Sequence, residues 1–147
     1  MGGSGTAVVW FRRDLRLIDN PALVAACERA RHVVALYLHA PEEDGEWSPG
    51  AASRWWLHHS LARLDAELRS RGGQLILRRG DSLAELRRVA RESGAEAVYW
   101  NRLYDPARVA HDTRIKAALR EDGLECESFN AALLHEPWEV RTGQGDP

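Results

Sequence analysis

Arginine and aspartate side chains that can bind anions follow the first apolar run of the chain. The run at residues 6–11 (TAVVWF) ends immediately before Arg12, Arg13 and Asp14, and Arg16 lies two residues further on. Arginine binds phosphate and carboxylate groups through paired hydrogen bonds, and a nearby aspartate can act as its internal partner. Two interpretations are open. The arginines hold an anionic ligand, or they form an Arg–Asp lattice that fixes the turn and contacts another domain.

A second group of polar side chains follows the fourth apolar run, residues 97–100 (AVYW). This group contains Asn101, Arg102 and Asp105, and His39 stands at the end of the second run. In open parallel sheets, ligands bind beyond the carboxyl ends of the strands, at the point where the strand order reverses. Because the first and fourth strands usually flank that crevice, we expect the segments FRRDLR and WNRLYDP to line it.

Other sequence signals for catalysis or metal binding are missing. The chain has no GxxxxGK[ST] run, no GxGxxG after the first apolar run and no GxSxG. The adjacent pair His58 and His59 lacks the i, i+4 spacing that places two metal ligands on one helix face. No carboxylate pair stands out for acid–base work, and three further histidines form no constellation: His32, His111 and His135. We therefore expect neither a metal site nor a catalytic residue.

The composition is that of one ordinary globular domain. Of the 147 residues, 44% are hydrophobic and 29% are charged, with a formal net charge of −2. This balance argues against binding duplex DNA by bulk charge, because such domains carry a basic excess. Cys27 and Cys126 match no metal-ligand spacing and suit a reducing compartment. Without an 18-residue apolar run or a signal-peptide pattern, we expect a cytoplasmic protein and no membrane partner.

Apolar runs alternate with amphipathic stretches along the chain. Predicted strands lie at residues 6–11, 33–39, 74–79, 97–100 and 124–129, and predicted helices at 22–31, from 48–49 to 72–73, 82–93 and from 105–106 to 122. Near-continuous apolar strands separated by helices indicate a parallel sheet with right-handed crossovers. The sequence therefore predicts an α/β fold of the doubly wound, Rossmann-like type, with five parallel strands and helices on both faces.

Capping residues mark the predicted helix starts. Asp19 or Asn20 is expected to cap the first helix, and Ser48 the second, each ahead of a proline. Ser82 and Glu85 form a capping-box pattern for the third helix.

Six tryptophans are more than a domain of this size usually carries. Trp10 and Trp100 end strands, and Trp56 lies on the apolar stripe of the long helix, so we predict that all three pack in the core. The other three are interpreted as an apolar patch where a large partner docks: Trp47, Trp55 and Trp138. An aromatic platform for a cofactor is the alternative.

The two ends are rich in glycine and polar residues. Residues 1–5 (MGGSG) are typical of a linker or tag, residues 6–140 form the domain, and residues 141–147 (RTGQGDP) begin an interdomain linker.

Four segments in register carry a resemblance to a known family. They are VVWFRRDLRLIDNPAL at residues 8–23, SPGAASRWWLHHSLARL at 48–64, VYWNRLYDP at 98–106 and FNAALLHEPWEV at 129–140. In order and spacing they resemble the amino-terminal α/β domain of the DNA photolyase and cryptochrome family. The second and third segments look most like plant-type cryptochromes and the bacterial photolyases related to them.

The resemblance implies a larger parent protein. In the family, such a domain is joined to a helical domain that binds FAD, and light-excited reduced flavin splits cyclobutane pyrimidine dimers in DNA or, in cryptochromes, drives signalling. We therefore expect the FAD-binding helical domain to be the partner of this chain and DNA to be reached only through the parent protein. By itself the chain is expected to be inactive and to bind no FAD.

The family also implies a site for an antenna chromophore, either a folate or a deazaflavin. Matched by motif, the residues expected to contact it are Arg12, Arg13, Asp14, His39, Asn101, Arg102 and Asp105. Many folate-binding photolyases have an Asn-Glu pair where this chain has Ala107 and Arg108. The departure removes a carboxylate that would pair with a pterin ring and argues against folate in that pose. A different antenna pose, a deazaflavin or no antenna at all remain open.

Two other hypotheses remain open. The chain is a free-standing nucleotide-binding α/β domain with Arg12, Arg13 and Arg16 as its anion site, or a folding unit whose only partner is the helical domain. In any of these cases, Asp14→Ala is expected to loosen the turn after the first strand by removing an arginine partner.

Overall fold

A computed structural model describes residues 3–43 and 48–140 of the chain. These residues form five strands, β1 (Thr6–Phe11), β2 (His32–His39), β3 (Leu75–Arg79), β4 (Ala95–Asn101) and β5 (Glu125–Phe129). The α-helices are α1 (Pro21–Arg29), α2 (Ala51–Ser70), α3 (Ser82–Ser93) and α4 (Pro106–Glu121). Residues 1–2, Trp47 and the predicted linker at 141–147 lie outside the described residues.

All strand pairs are parallel, and the strand order is β3-β2-β1-β4-β5. The chain moves outward from β1 to β3, then returns to pair β4 with the other side of β1. This order confirms the predicted doubly wound fold. It also places the switch point between β1 and β4, so the segments after Phe11 and Asn101 meet at one edge of the sheet.

Each face of the sheet carries its own buried cluster. Trp10, Leu36 and Trp100 pack on the face covered by α3 and α4, whereas Phe11 and Tyr99 pack on the face of α1 and α2. Because successive side chains of a strand point to opposite faces, burial on both faces requires an uninterrupted apolar run. The run TAVVWF has this property, and its predicted strand boundaries are confirmed.

Helix starts were predicted with mixed success. Asn20 caps α1 as expected, since its side chain accepts a hydrogen bond from the Leu23 N–H at 3.2 Å. The prediction for Ser48 is wrong, because α2 begins after Gly50 without a side-chain cap. Asp81 caps α3 and accepts from the Ala84 N–H at 2.8 Å, so the capping-box prediction was one residue late.

The prediction that Trp56 packs in the core is wrong, since 66% of its surface is exposed. Only Leu64 of α2 is fully buried, and the first ten residues of this helix lie largely in solvent. Trp56 instead packs edge-on against Trp55, with ring centroids 5.6 Å apart. A stripe of apolar residues predicts a buried face only along the part of a helix that the sheet reaches. Trp10 and Trp100 are buried as predicted.

Within residues 3–43 and 48–140, no helix is both long enough and apolar enough to cross a membrane.

Candidate functional site

Asn101 joins three segments at the switch point. Its Nδ2 donates to Asp14 Oδ2 at 2.6 Å and to Asn20 Oδ1 at 2.7 Å. Its Oδ1 accepts from the Ala22 backbone N–H at 3.1 Å. The end of β4 is thereby tied to the turn after β1 and to the first turn of α1. Asn101 and Asn20 are both buried, so this amide pair lies behind the surface of the crevice.

Asp14 organises the turn after β1 through amide donors. Its Oδ1 accepts from the Arg12 backbone N–H at 2.8 Å, and its Oδ2 accepts from Asn20 Nδ2 at 3.2 Å as well as from Asn101. The expected pairing with an arginine side chain is therefore replaced by bonds to one backbone and two side-chain N–H groups. These bonds close the turn, because a short acidic side chain readily accepts from its own backbone two residues away.

Asp14→Ala is expected to lower the free energy of unfolding by about 2 kcal/mol, because it leaves buried amide donors without an acceptor. Urea unfolding measures the loss, and amide hydrogen exchange at residues 12–16 reports loosening of the turn. Asp19→Asn, in the same loop, is the control, because asparagine tolerates the left-handed backbone of residue 19 (φ 51°), and it should change stability by less than about 0.5 kcal/mol. Unchanged unfolding and exchange in Asp14→Ala would contradict the role given to this carboxylate.

Arg12 is a buried cation held by the protein itself. Its Nη1 donates to Asp112 Oδ1 at 2.7 Å and its Nη2 donates to the Asn101 carbonyl oxygen. The guanidinium also lies 4.8 Å from the centroid of the Trp10 ring. Burial lowers the pKa of Arg12, although the ion pair with Asp112 opposes that shift. Its Nε is buried and has no partner among the described residues.

A buried group of titratable residues that the sequence did not reveal lies beside Arg12. His111 Nε2 is 3.2 Å from Glu43 Oε2, and its Nδ1 is 3.9 Å from Asp112 Oδ1. The Glu43 carboxylate also accepts from the N–H and the hydroxyl of Ser82, both at 2.7 Å. His111 thus lies between two carboxylates that are far apart in sequence, with its buried Nδ1 lacking a hydrogen-bond partner in the described chain, and the expectation that it joins no constellation is wrong.

The remaining predicted site residues lie at the rim or further away. Arg13 and Asp105 form an exposed ion pair of 3.0 Å. Arg16 donates to the carbonyl oxygens of Asp19 and Ala131, at 3.1 and 2.9 Å. The Arg–Asp interpretation therefore describes Arg12 and Arg13, whereas Arg16 joins the turn to the segment after β5.

Arg102 points away from the other predicted site residues and anchors the last described segment. It forms an ion pair with Glu136 and donates to the Ser128 carbonyl oxygen at 2.7 Å. Tyr104 donates to the same Glu136 carboxylate at 2.6 Å. Arg102 thereby fixes residues 130–140 against the end of β5.

A cavity of about 580 Å³, called the first cavity below, opens beyond the carboxyl ends of β1, β2 and β3. Arg12, Arg13 and His39 line it, as do Arg79 and Arg108, which are not among the predicted site residues. Arg79 pairs with His39 in the sheet register and ends β3. Because ligands bind beyond the carboxyl ends of parallel strands, its position at the end of β3 could have identified it as a site residue. The volume lies in the range of small-molecule sites.

The walls of the first cavity combine positive charge with apolar surface. Glu43 is the acidic residue among its lining groups in the described region, and Arg108 lies 3.9 Å from it. Trp10, another lining residue, carries a buried indole N–H that has no partner in the described chain. Such a site can accept a flat molecule with an anionic group and hydrogen-bond acceptors. No group of three metal-ligating side chains occurs among the residues described.

Residues 7–147 match a family model described as DNA photolyase. The chain belongs to this family. Two photolyase-family relatives illustrate the similarity. Cryptochrome-1 of Arabidopsis thaliana is 52% identical over 99% of this chain and 21% of its own length. The deoxyribodipyrimidine photo-lyase of Agrobacterium fabrum is 47% identical over 95% of this chain and 29% of its own length.

A solved photolyase-family structure is also similar over nearly the whole chain. The crystal structure of a bacterial class III photolyase from Agrobacterium tumefaciens superposes with a TM-score of 0.90 and is 46% identical. The match covers 98% of this chain and 29% of that chain. The chain therefore spans less than a third of each of these relatives, and it corresponds to one α/β domain of longer family members.

Proposed function

We propose that this domain is the antenna-side module of a light-driven photolyase or cryptochrome, and that the first cavity holds its antenna chromophore. The main observation in support is that Arg12 and Trp10 each have a buried N–H without a partner in the described chain, and both residues line this cavity. Buried donors are normally satisfied, so an acceptor on a bound molecule is a natural partner. The cationic rim supplied by Arg13 and Arg79 suits an anionic chromophore.

The residues fit a flat, anionic chromophore but not the folate pose of many relatives. Arg108 stands where that pose needs a carboxylate, and it lies on the cavity wall beside Glu43. When bound, the chromophore would absorb light and pass the excitation to a flavin elsewhere in the parent protein. The part of this chain is to orient it, with Arg13 and His39 at the rim and apolar Leu38 and Leu57 on the walls. A folate in another pose and a deazaflavin are the two candidates.

The proposed partner is the FAD-binding helical domain of the parent protein, through which the proposed substrate, pyrimidine-dimer DNA, is reached. Two observations support it. The relatives are more than three times longer than the part that matches this chain. Leu134 and Val140 expose apolar surface beyond β5, where a further domain can cover them. Cys27 and Cys126 are unpaired, which favours a reducing, cytoplasmic setting.

The alternative of a free-standing nucleotide-binding domain receives less support. It needs Arg12, Arg13 and Arg16 to bind phosphate groups. Arg12 is committed to Asp112, and Arg16 donates to two carbonyl oxygens. Of these three arginines, Arg13 is the one whose ion pair is exposed, so it could exchange Asp105 for a phosphate at a low cost in free energy.

Absorbance titration with a reduced folate and with a deazaflavin tests the antenna proposal. We expect one of the two to bind with one-to-one stoichiometry and a shifted absorption band. Ser53→Trp, which introduces an indole at the wall of the first cavity, should weaken binding at least about tenfold through steric exclusion. Ala52→Trp is the matched control, because Ala52 is exposed on the same helix and does not line the cavity.

Equal binding by both tryptophan variants would contradict the placement of the chromophore. A separate experiment tests the proposal that FAD binding and catalysis belong to another domain. If the 147-residue chain bound stoichiometric FAD and split pyrimidine dimers under blue light unaided, the assignment of catalysis to another domain would be wrong.

A further inference from the structure

A second cavity of about 350 Å³ lies between α4 and the segment that follows β5. Its walls include Arg102, Tyr104, Val109, Lys116, Ala117 and Trp138. Among the described residues, Leu103 alone also lines the first cavity. The two cavities are therefore neighbours that share one residue of the segment after β4, and each has its own set of charged groups.

Positive charge in the second cavity exceeds the negative charge available to balance it. Among the residues that the structure describes, three cations line it, Arg102, Lys116 and Arg120, together with one carboxylate, Asp112. Asp112 is already paired with Arg12, and Arg102 is already paired with Glu136 from outside the cavity lining. Within the described chain, neither Lys116 nor Arg120 has a carboxylate within 4.0 Å.

Lys116 is the cation best placed to hold a ligand. Its Nζ donates to Ser128 Oγ at 2.7 Å and lies 5.4 Å from the centroid of the Trp100 ring. An ammonium group has three N–H donors, so this contact leaves donors for another acceptor. Burial lowers the pKa of Lys116, and the nearby Arg120 and Arg102 lower it further. An anion beside Nζ would offset both effects, since opposite charge favours the protonated amine.

The opposite wall of the second cavity is apolar and aromatic. Trp138 is 55% exposed, and its ring centroid lies 6.2 Å from that of Tyr104. Val109, on the first turn of α4, is also an exposed apolar side chain. An aromatic ring beside an aliphatic side chain favours a flat apolar molecule, because both surfaces lose contact with water when it binds.

We propose that the second cavity binds a small organic anion with a flat aromatic body. Its anionic group lies against Lys116 and Arg120, and its ring system packs between Val109, Ala117 and Trp138. This site does not depend on the antenna proposal, since Leu103 is the one lining residue that the two cavities share among the described residues.

The dye 8-anilinonaphthalene-1-sulfonate combines an aromatic body with one sulfonate and is a suitable probe. Titrated into the 147-residue chain, it should bind with one-to-one stoichiometry and a rise in fluorescence. Lys116→Gln should weaken binding about tenfold, because a hydrogen bond to a charged group is lost. Ala117→Phe, at an exposed position of α4, should weaken it at least as much by filling the cavity.

Arg114→Gln is the matched control, because it removes one positive charge from an exposed position of α4 that does not line the cavity. It should leave dye affinity within about twofold. The neutral analogue N-phenyl-1-naphthylamine should bind wild type more weakly than the sulfonate and should be insensitive to Lys116→Gln. Absence of one-to-one binding, equal losses in Lys116→Gln and Arg114→Gln, or loss of binding in Ser53→Trp would each overturn the proposal.

Discussion

Arg12→Ala is expected to lower the free energy of unfolding by about 3 kcal/mol, because it leaves a buried carboxylate without its cation. Arg12 is 9% exposed and supplies Asp112 with its cation at 2.7 Å. Removing the guanidinium leaves the Asp112 carboxylate, with 13% of its side chain exposed, without a compensating charge. The Asn101 carbonyl oxygen loses a donor at the same time. Urea unfolding at neutral pH measures the loss.

The neighbouring substitution Arg13→Ala is the control for this prediction. It removes the same side-chain type one position along, from an ion pair of 3.0 Å whose two side chains are more than half exposed. Exposed pairs contribute between about 0 and 1 kcal/mol, so Arg13→Ala should stay within that range. If the two variants lost equal stability, the argument from burial would be wrong.

The same ion pair predicts how stability depends on pH. Burial by itself would raise the pKa of Asp112, but His111, Arg12 and Trp100 together hold it below its ordinary value of 3.8. A carboxyl group whose pKa is lower in the folded state stabilises the fold above its unfolded pKa, and this contribution is lost as pH falls through the folded value. Wild-type stability should therefore fall on acidification below about pH 4, and Arg12→Ala should show a smaller fall.

Asn101→Ala is expected to lower the free energy of unfolding by about 3 kcal/mol, since each buried polar group left unsatisfied costs about 1 to 3 kcal/mol. The Ala22 N–H loses its acceptor, and Asp14 and Asn20 lose a shared donor. The side chain also joins β4 to α1, so its removal should detach the start of the helix. Urea unfolding measures the loss, and amide hydrogen exchange at residue 22 should accelerate.

Asn130→Ala provides a comparison for Asn101→Ala. Asn130 also bonds to backbone groups, but its side-chain hydrogen bonds in the described chain lie within residues 130–133 and are exposed. Its loss should cost about 1 kcal/mol or less. Equal destabilisation by the two variants would show that the contacts of Asn101 between β4 and α1 add nothing to the free energy of unfolding beyond those of an exposed asparagine.

The order and type of the elements could be predicted because their signals are local. Strand β1 is a contiguous apolar run and was placed residue for residue. Asn20 was a correct cap, whereas Ser48 was not, since the cap of α2 depends on where the preceding loop brings the chain. The exposure of Trp56 could not be read from its spacing. Periodicity predicts which face of a helix is apolar, not how far the sheet extends beneath it.

The location of the candidate site was also predictable, but its contacts were not. Strand-end residues gather at the switch point of any doubly wound sheet, which places Arg12, Arg13 and His39 around one cavity. Arg102 follows the same rule but turns toward Glu136, a partner that lies 34 residues along the chain. Contact between residues distant in sequence depends on the packing of α4 and of the segment after β5, for which the sequence has no local signal.

The sequence by itself determined the fold class, the family and the edge of the sheet where the candidate site lies, because apolar periodicity and contiguous motifs are properties of neighbouring residues. Tertiary structure alone decided which charges are compensated. Arg12 forms an ion pair with Asp112, which lies 100 residues further along the chain. His111 of α4 contacts Glu43 of the loop after β2. Burial then decided their energetic weight, since a charge pair removed from water depends on its partner far more than one left in water.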